Sequence, residues 1–197
     1  SYNTQPGNQA SVDVGNGDLP GVGNLNGFTT PVQVIREFPY GMQNDEGRAM
    51  LQIIHDIAPK ASLAFCTGFI SAGNMAEGIK ELEQANCDII VDDVTFITEP
   101  FLQDGVIAQA VNDVHAAGVT YFTSAGNFGD KAYEGVFTPA PAPGSLAGSA
   151  HNFGGGDVFQ NINLTPGKYL LVLQWKDDFY SIETNPIGTQ NDLDIYL

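Results

Sequence analysis

Between residues 32 and 127 the chain repeats one pattern: a short apolar run, a stretch with helical periodicity, then another apolar run. Val32–Ile35, Ser62–Cys66, Asp88–Val91 and Gly118–Phe122 read as strands, rich in β-branched and aromatic residues. Asp45–Asp56 reads as a helix, because Met50, Ile53, Ile54 and Ile57 recur at i, i+3, i+4 and i+7. Asn74 opens a second helix, with Glu77 completing a capping box and Met75, Ile79 and Leu82 facing inward. A third runs from about Gln103 to Ala117, with Ile107, Ala110, Val111 and Val114 inward. Strands that alternate with helices of about 10–15 residues predict βαβ units, a parallel sheet and right-handed crossovers. Asp88–Val91, apolar almost throughout, predicts a strand covered on both faces.

The flanks differ in texture. Residues 1–30 are rich in Gly, Asn and Pro and read as loops. Thr138–Gly144 is Pro-rich and reads as a stiff connection; Gly144-Ser145 and Gly148-Ser149 fall within or beside it and read as linker. Beyond it, Asp157–Leu164, Lys168–Trp175 and Asp192–Leu197 alternate polar and apolar residues, as antiparallel β structure does. The predicted organisation is an α/β body over 1–137, a connection over 138–150 and a partial β-sandwich over 151–197. Ser1 does not read as a natural start, and no turn follows the last predicted strand, so a longer protein is expected.

Charge narrows the partners. With 23 acidic and 7 basic residues the formal charge is −16, which repels nucleic acid and anionic membranes. No segment approaches the roughly 18 consecutive apolar residues of a membrane span. An acidic, Gly- and Asn-rich chain with little Lys fits an extracellular protein. Cys66 and Cys87 form no disulfide framework and no metal-spaced cluster, and read as inert thiols. His55 and His115 read as solvated residues at helix carboxyl ends, and the three histidines lack zinc spacing. No cofactor is implied. Asp192 and Asp194 could take Ca²⁺, although a solvated face is the preferred reading.

Three polar residues stand where α/β proteins carry chemistry. Asn127 ends the last parallel strand, either as a turn residue or as an amide donor to a developing oxyanion. Asp93 follows Asp92 at another strand end; consecutive strand residues face opposite ways, so the two cannot share a pocket while the strand lasts. Glu46 opens a helix, either complementing its dipole or serving as a base.

Three segments, in order, resemble the subtilisin-like serine peptidases over roughly residues 30–135: Glu46-Gly47-Arg48-Ala49-Met50, Ile57-Ala58-Pro59-Lys60-Ala61-Ser62-Leu63, and Ala116–Val119 continuing to Ser124-Ala125-Gly126-Asn127. The resemblance implies a three-layer parallel sheet, here incomplete. It implies a serine-type endopeptidase that cuts protein or peptide substrates by acyl transfer, secreted or on a bacterial cell surface. It places Asn127 at the oxyanion hole, Asp93 in the substrate pocket and Glu46 at the base position. The family's His is replaced there by Glu46, as in the sedolisin branch; Met50 stands where sedolisins carry an Asp, and Asn127 follows the subtilisin type. No Gly-Thr-Ser-like nucleophile motif occurs, so the nucleophile and the first catalytic Asp are expected outside these residues and the fragment itself is expected to be inactive. The tail resembles the small pre-peptidase C-terminal β-sandwich found beside secreted bacterial peptidases. A reading of another class is a secreted binding or surface protein that kept the fold without the chemistry.

Overall fold

The structure is a computed structural model that describes residues 1–129, 131–180 and 186–197; residues 181–185 of the predicted β-sandwich segment lie outside the described residues. The chain is mixed α/β and divides into two units, Ser1–Ala125 with Leu173–Leu197, and Gly126–Val172.

The first unit contains the predicted alternation. After α1 (Gln9–Asn16) come β1 (Gln33–Arg36), α2 (Glu46–Ile57), β2 (Ala64–Cys66), α3 (Ala72–Gln84), β3 (Ile89–Asp92), α4 (Val106–Ala116) and β4 (Thr120–Thr123). β1 pairs with β2 and β3 with β4, both in parallel, the second in unbroken register from Ile89↔Thr120 to Asp92↔Thr123. Among the described residues the two pairs share no ladder, where one sheet is predicted. α3, the crossover between β2 and β3, packs against both. Phe65 and Cys66, adjacent on β2, point to opposite faces. A side chain at Gly47 of α2 would collide with the Phe65 ring, and one at Gly78 of α3 would put its Cβ 2.8 Å from Cys66 Sγ. These two glycines let helices close on both faces of β2.

Around β3 the layering is one-sided. Ile90 and Val119 pack with Met75 and Ile79 of α3 and Ala110 and Val114 of α4, the inner faces that the periodicity predicts. On the opposite face Ile89, Val91 and Phe122 are 64, 44 and 57% exposed. The expectation of a strand covered on both faces is therefore corrected.

α2 turns a different face inward from the one predicted. Leu51 and His55 are buried, while Ile53 and Ile57 are exposed. Arg48 explains the rotation: its Nε pairs with Asp13 at 2.8 Å and its Nη1 with Asp45. Holding Arg48 inward brings the residues three and seven positions on, Leu51 and His55, to the same face. His55, read as solvated, is 2% exposed and meets Phe28 edge-on at 5.3 Å between ring centres.

Two helix starts also differ. α3 begins at Ala72 because the Ser71 hydroxyl accepts the Asn74 N–H at 3.2 Å, so Ser71, not Asn74, is the cap. α1 lies in a stretch read as loop. The Asn3 side chain accepts the Ala10 N–H at 3.1 Å, and Gly17, at φ 94°, closes the other end. Ala10 and Leu19 then join Val32, Leu51 and Phe65 in a second small core.

Asp45 ties the amino-terminal loop to α2. Its own backbone is left-handed, at φ 54°. Its carboxylate, 2% exposed by residue, accepts the Ser1 hydroxyl at 2.8 Å, the Thr4 hydroxyl at 2.7 Å, the Thr4 N–H at 2.9 Å and the Gln5 N–H at 3.1 Å, besides Arg48. Burial by itself would raise the Asp45 pKa; the Thr4, Ser1 and Arg48 donors outweigh it and hold the carboxyl well below its usual range.

In the second unit β5 (Pro139–Pro141) pairs antiparallel with β6 (Ser149–His151). The Pro-rich segment read as a linker thus closes on itself as a hairpin, kept short because proline cannot donate to a ladder. His151 organises it. Nδ1 accepts the Thr138 N–H at 3.2 Å, Nε2 lies 2.9 Å from the Tyr133 hydroxyl, and Phe137 and Phe153 flank the ring. The runs 157–164, 168–175 and 192–197 carry no assigned strand, in contrast to the predicted antiparallel β structure. Phe159, Ile162, Leu164, Leu170 and Val172 stay exposed, because no facing sheet among the described residues buries the apolar side of their alternation.

Asp45→Asn should destabilise the chain by about 2–4 kcal/mol, measured by urea unfolding at pH 7. A depressed carboxyl contributes its stability above the unfolded value near 4 and loses it as pH falls further, so the gap between variant and parent should narrow below about pH 4. A constant gap across pH 2–7 would refute the assigned role of the Asp45 charge.

Candidate active site

Two of the three residues singled out in the sequence come together. Glu46 is the first residue of α2, where unpaired helix amides favour a carboxylate. Asn44 orients it: the Asn44 side-chain amide donates to Glu46 Oε2 at 3.1 Å, and its carbonyl accepts the Glu46 N–H at 3.2 Å.

Asp93 follows β3, at the carboxyl end of the parallel pair. Its neighbour Asp92 is turned toward β4. There it accepts the Tyr121 hydroxyl at 2.6 Å, the Thr123 hydroxyl at 3.0 Å and the Val94 N–H at 3.0 Å. Burial, reinforced by the bond to Asp92, pushes the Tyr121 phenol far above its usual range. Asp92 is occupied in bracing the strand ends, and Asp93 is the first residue beyond β3. Its side chain is within hydrogen-bond reach of Glu46. The Asp93 carboxyl is raised, first by desolvation, then by the charges of Glu46 and Asp92 and the bond to Glu46. Two carboxyl groups in contact cannot both ionise cheaply, and the charge of Glu46 therefore favours the protonated form of Asp93.

Asn127 follows β4 in the second unit, in a bend between Gly126 and Gly129, whose φ angles are 75° and 54°. Its amide is exposed to solvent. Positive φ at both flanking glycines is the turn chemistry that its sequence context predicts.

Asn44 went unnoticed in the sequence. The available signal was an Asn two residues before the first helical residue, the spacing at which a short amide bonds the backbone ahead of it. Cys66, read as inert, has its thiol pushed up to about 11, chiefly by burial and against the pull of Arg36. Among the described residues no group of three or more His, Cys, Asp and Glu is placed to hold a metal ion, and Asp194 accepts the Tyr196 hydroxyl at 3.2 Å. No helix among them is long and apolar enough to cross a membrane.

Replacing Glu46 by Gln removes the charge that helps to raise Asp93. The Asp93 carboxyl resonance, followed by carbon-13 NMR, should then titrate at lower pH than in the parent. An unmoved midpoint would mean that the two carboxyl groups do not interact. Compared with family models, curated proteins and solved structures, the chain matches none.

Proposed function

We propose that this chain is the α/β portion of a serine-type endopeptidase with a carboxyl pair in place of the usual histidine. The observation that carries the reading is the contact between Glu46, at the amino end of α2, and Asp93, beyond the carboxyl end of β3. Parallel strand pairing and helices on both faces of β2 support the finer fold reading, an incomplete subtilisin-like three-layer sheet. The partial β-sandwich stays attached to that reading through its sequence resemblance.

In this mechanism Glu46 accepts the proton of a serine hydroxyl contributed by chain outside these residues, as that oxygen attacks the scissile carbonyl of a protein or peptide. Asp93 keeps its proton and orients Glu46 by hydrogen bonding, the part an acid plays toward the base of a triad. Glu46 then returns the proton it took from the serine to the leaving amine. The family resemblance assigns Asn127 the part of amide donor to the oxyanion. The 197 residues by themselves hydrolyse nothing. Secretion follows from the acidic, Lys-poor composition and the resemblance to secreted bacterial enzymes.

The pair works with one proton. Above the raised Asp93 value Asp93 loses the proton through which it bonds Glu46, so activity belongs on the acid side and falls as pH rises. Treating the longer protein with a fluorophosphonate from pH 3 to 8 should label a serine most strongly in acid, and Glu46→Gln should abolish labelling. Asp93→Asn, which mimics the protonated acid, should retain activity and flatten the loss toward neutral pH. Absence of labelling at every pH would favour the non-catalytic binding protein.

In the same longer protein Asn127→Ala should leave the fold intact and lower turnover by about 10²–10³, the range for loss of one oxyanion donor. An unchanged kcat would remove Asn127 from the site.

A further inference from the structure

A side chain holds the open end of the hairpin in the second unit. Two of the three residues of β5 are prolines without an N–H, so the ladder Pro139↔His151, Ala140↔Ala150, Pro141↔Ser149 is poor in backbone bonds. Just outside it, Thr138 is bonded through both of its backbone groups. Its carbonyl accepts the Asn152 N–H at 2.8 Å, and its N–H donates to His151 Nδ1 at 3.2 Å. The imidazole thus supplies an acceptor that a partner strand would otherwise offer.

A backbone amide only donates, so Nδ1 must present its lone pair. The ring is therefore neutral with its proton on Nε2, which donates to the Tyr133 hydroxyl at 2.9 Å. This arrangement excludes His151 as a base toward Tyr133. The Phe137 and Phe153 rings lie 5.7 and 4.7 Å from the imidazole between ring centres. Of the residues packed on the ring, Tyr133 is the titratable one; Phe137, Thr138 and Phe153 carry no ionisable side chain. Among the described residues no Asp or Glu forms an ion pair with it.

A proton added at Nδ1 faces the Thr138 N–H, donor against donor. The ring must then withdraw, and the Thr138 bond is lost. The closed hairpin accepts only the neutral imidazole, whereas the open one admits both forms. Closure is therefore complete above the ordinary histidine range and is lost as pH falls through it.

We propose that His151 is an acid-released latch on the β5–β6 hairpin: protonation at Nδ1 frees Thr138 and lets the Pro-rich β5 part from β6. The latch is independent of the peptidase reading.

The test is nitrogen-15 NMR of the whole 197-residue chain between about pH 5 and 8, above the range in which carboxylates ordinarily take up protons. At the alkaline end the ring proton should reside on Nε2. As His151 takes up its second ring proton, protection of the Thr138 and Asn152 amides from solvent exchange, relative to an unstructured chain, should fall by up to about tenfold per pH unit, the slope of one linked proton. His151→Gln offers an amide oxygen that does not titrate, and should hold both amides at a protection independent of pH. Tyr133→Phe keeps Nδ1 and its lone pair, should retain the acid opening, and serves where the glutamine variant does not fold. A ring proton on Nδ1 at the alkaline end, amides unmoved while His151 titrates, or an equal acid opening in His151→Gln would each overturn the proposal.

Discussion

The first unit depends on a buried charge cluster. Asp13, Asp45 and Arg48 lie where α1, the amino-terminal loop and α2 meet, and Asp45 is also hydrogen-bonded by Ser1, Thr4 and Gln5. Removing charges from water is expensive, and such a cluster persists only when opposite charges are closely paired and hydrogen-bonded. The geometry this demands is stricter than any hydrophobic contact would be. It fixes the rotation of α2 about its axis and, because Glu46 is the next residue after Asp45, the direction in which the candidate base leaves the helix.

The order and type of elements from residue 32 to 127 were legible because local periodicity records burial. Ile79, Ala110 and Val114 face where their spacing says they should. α2 was misjudged for a physical reason. Its apolar stripe was read from spacing, whereas the face that packs is chosen by Arg48, whose deciding partner, Asp13, lies far away in sequence. α1 escaped notice because its amino-end acceptor, Asn3, sits outside the helix among residues whose composition signals turns. The alternating runs after residue 156 carry a strand's polarity pattern, but pattern does not supply a partner strand, and among the described residues their one bridge is Gly154 to Asp157.

The carboxyl pair was legible in part. Glu46 at a helix start and Asp93 at a strand end are positions that α/β architecture brings to one edge. The supporting residue was not legible. Asn44 acts through a local bond that resembles any turn asparagine. Side chains that merely steady others leave little trace in sequence, because their partners are backbone groups, which every residue possesses.

The uncovered side of β3 and β4 has a colloidal consequence. Ile89, Val91 and Phe122 form an oily strip on a molecule whose formal charge is −16 and whose isoelectric point is about 4.1. Near neutrality, mutual repulsion between copies keeps such strips apart. Approaching the isoelectric point neutralises that repulsion while leaving the strip as sticky as before. The acidity that lets two carboxyl groups share a proton is therefore also the condition under which the isolated chain is most prone to clump.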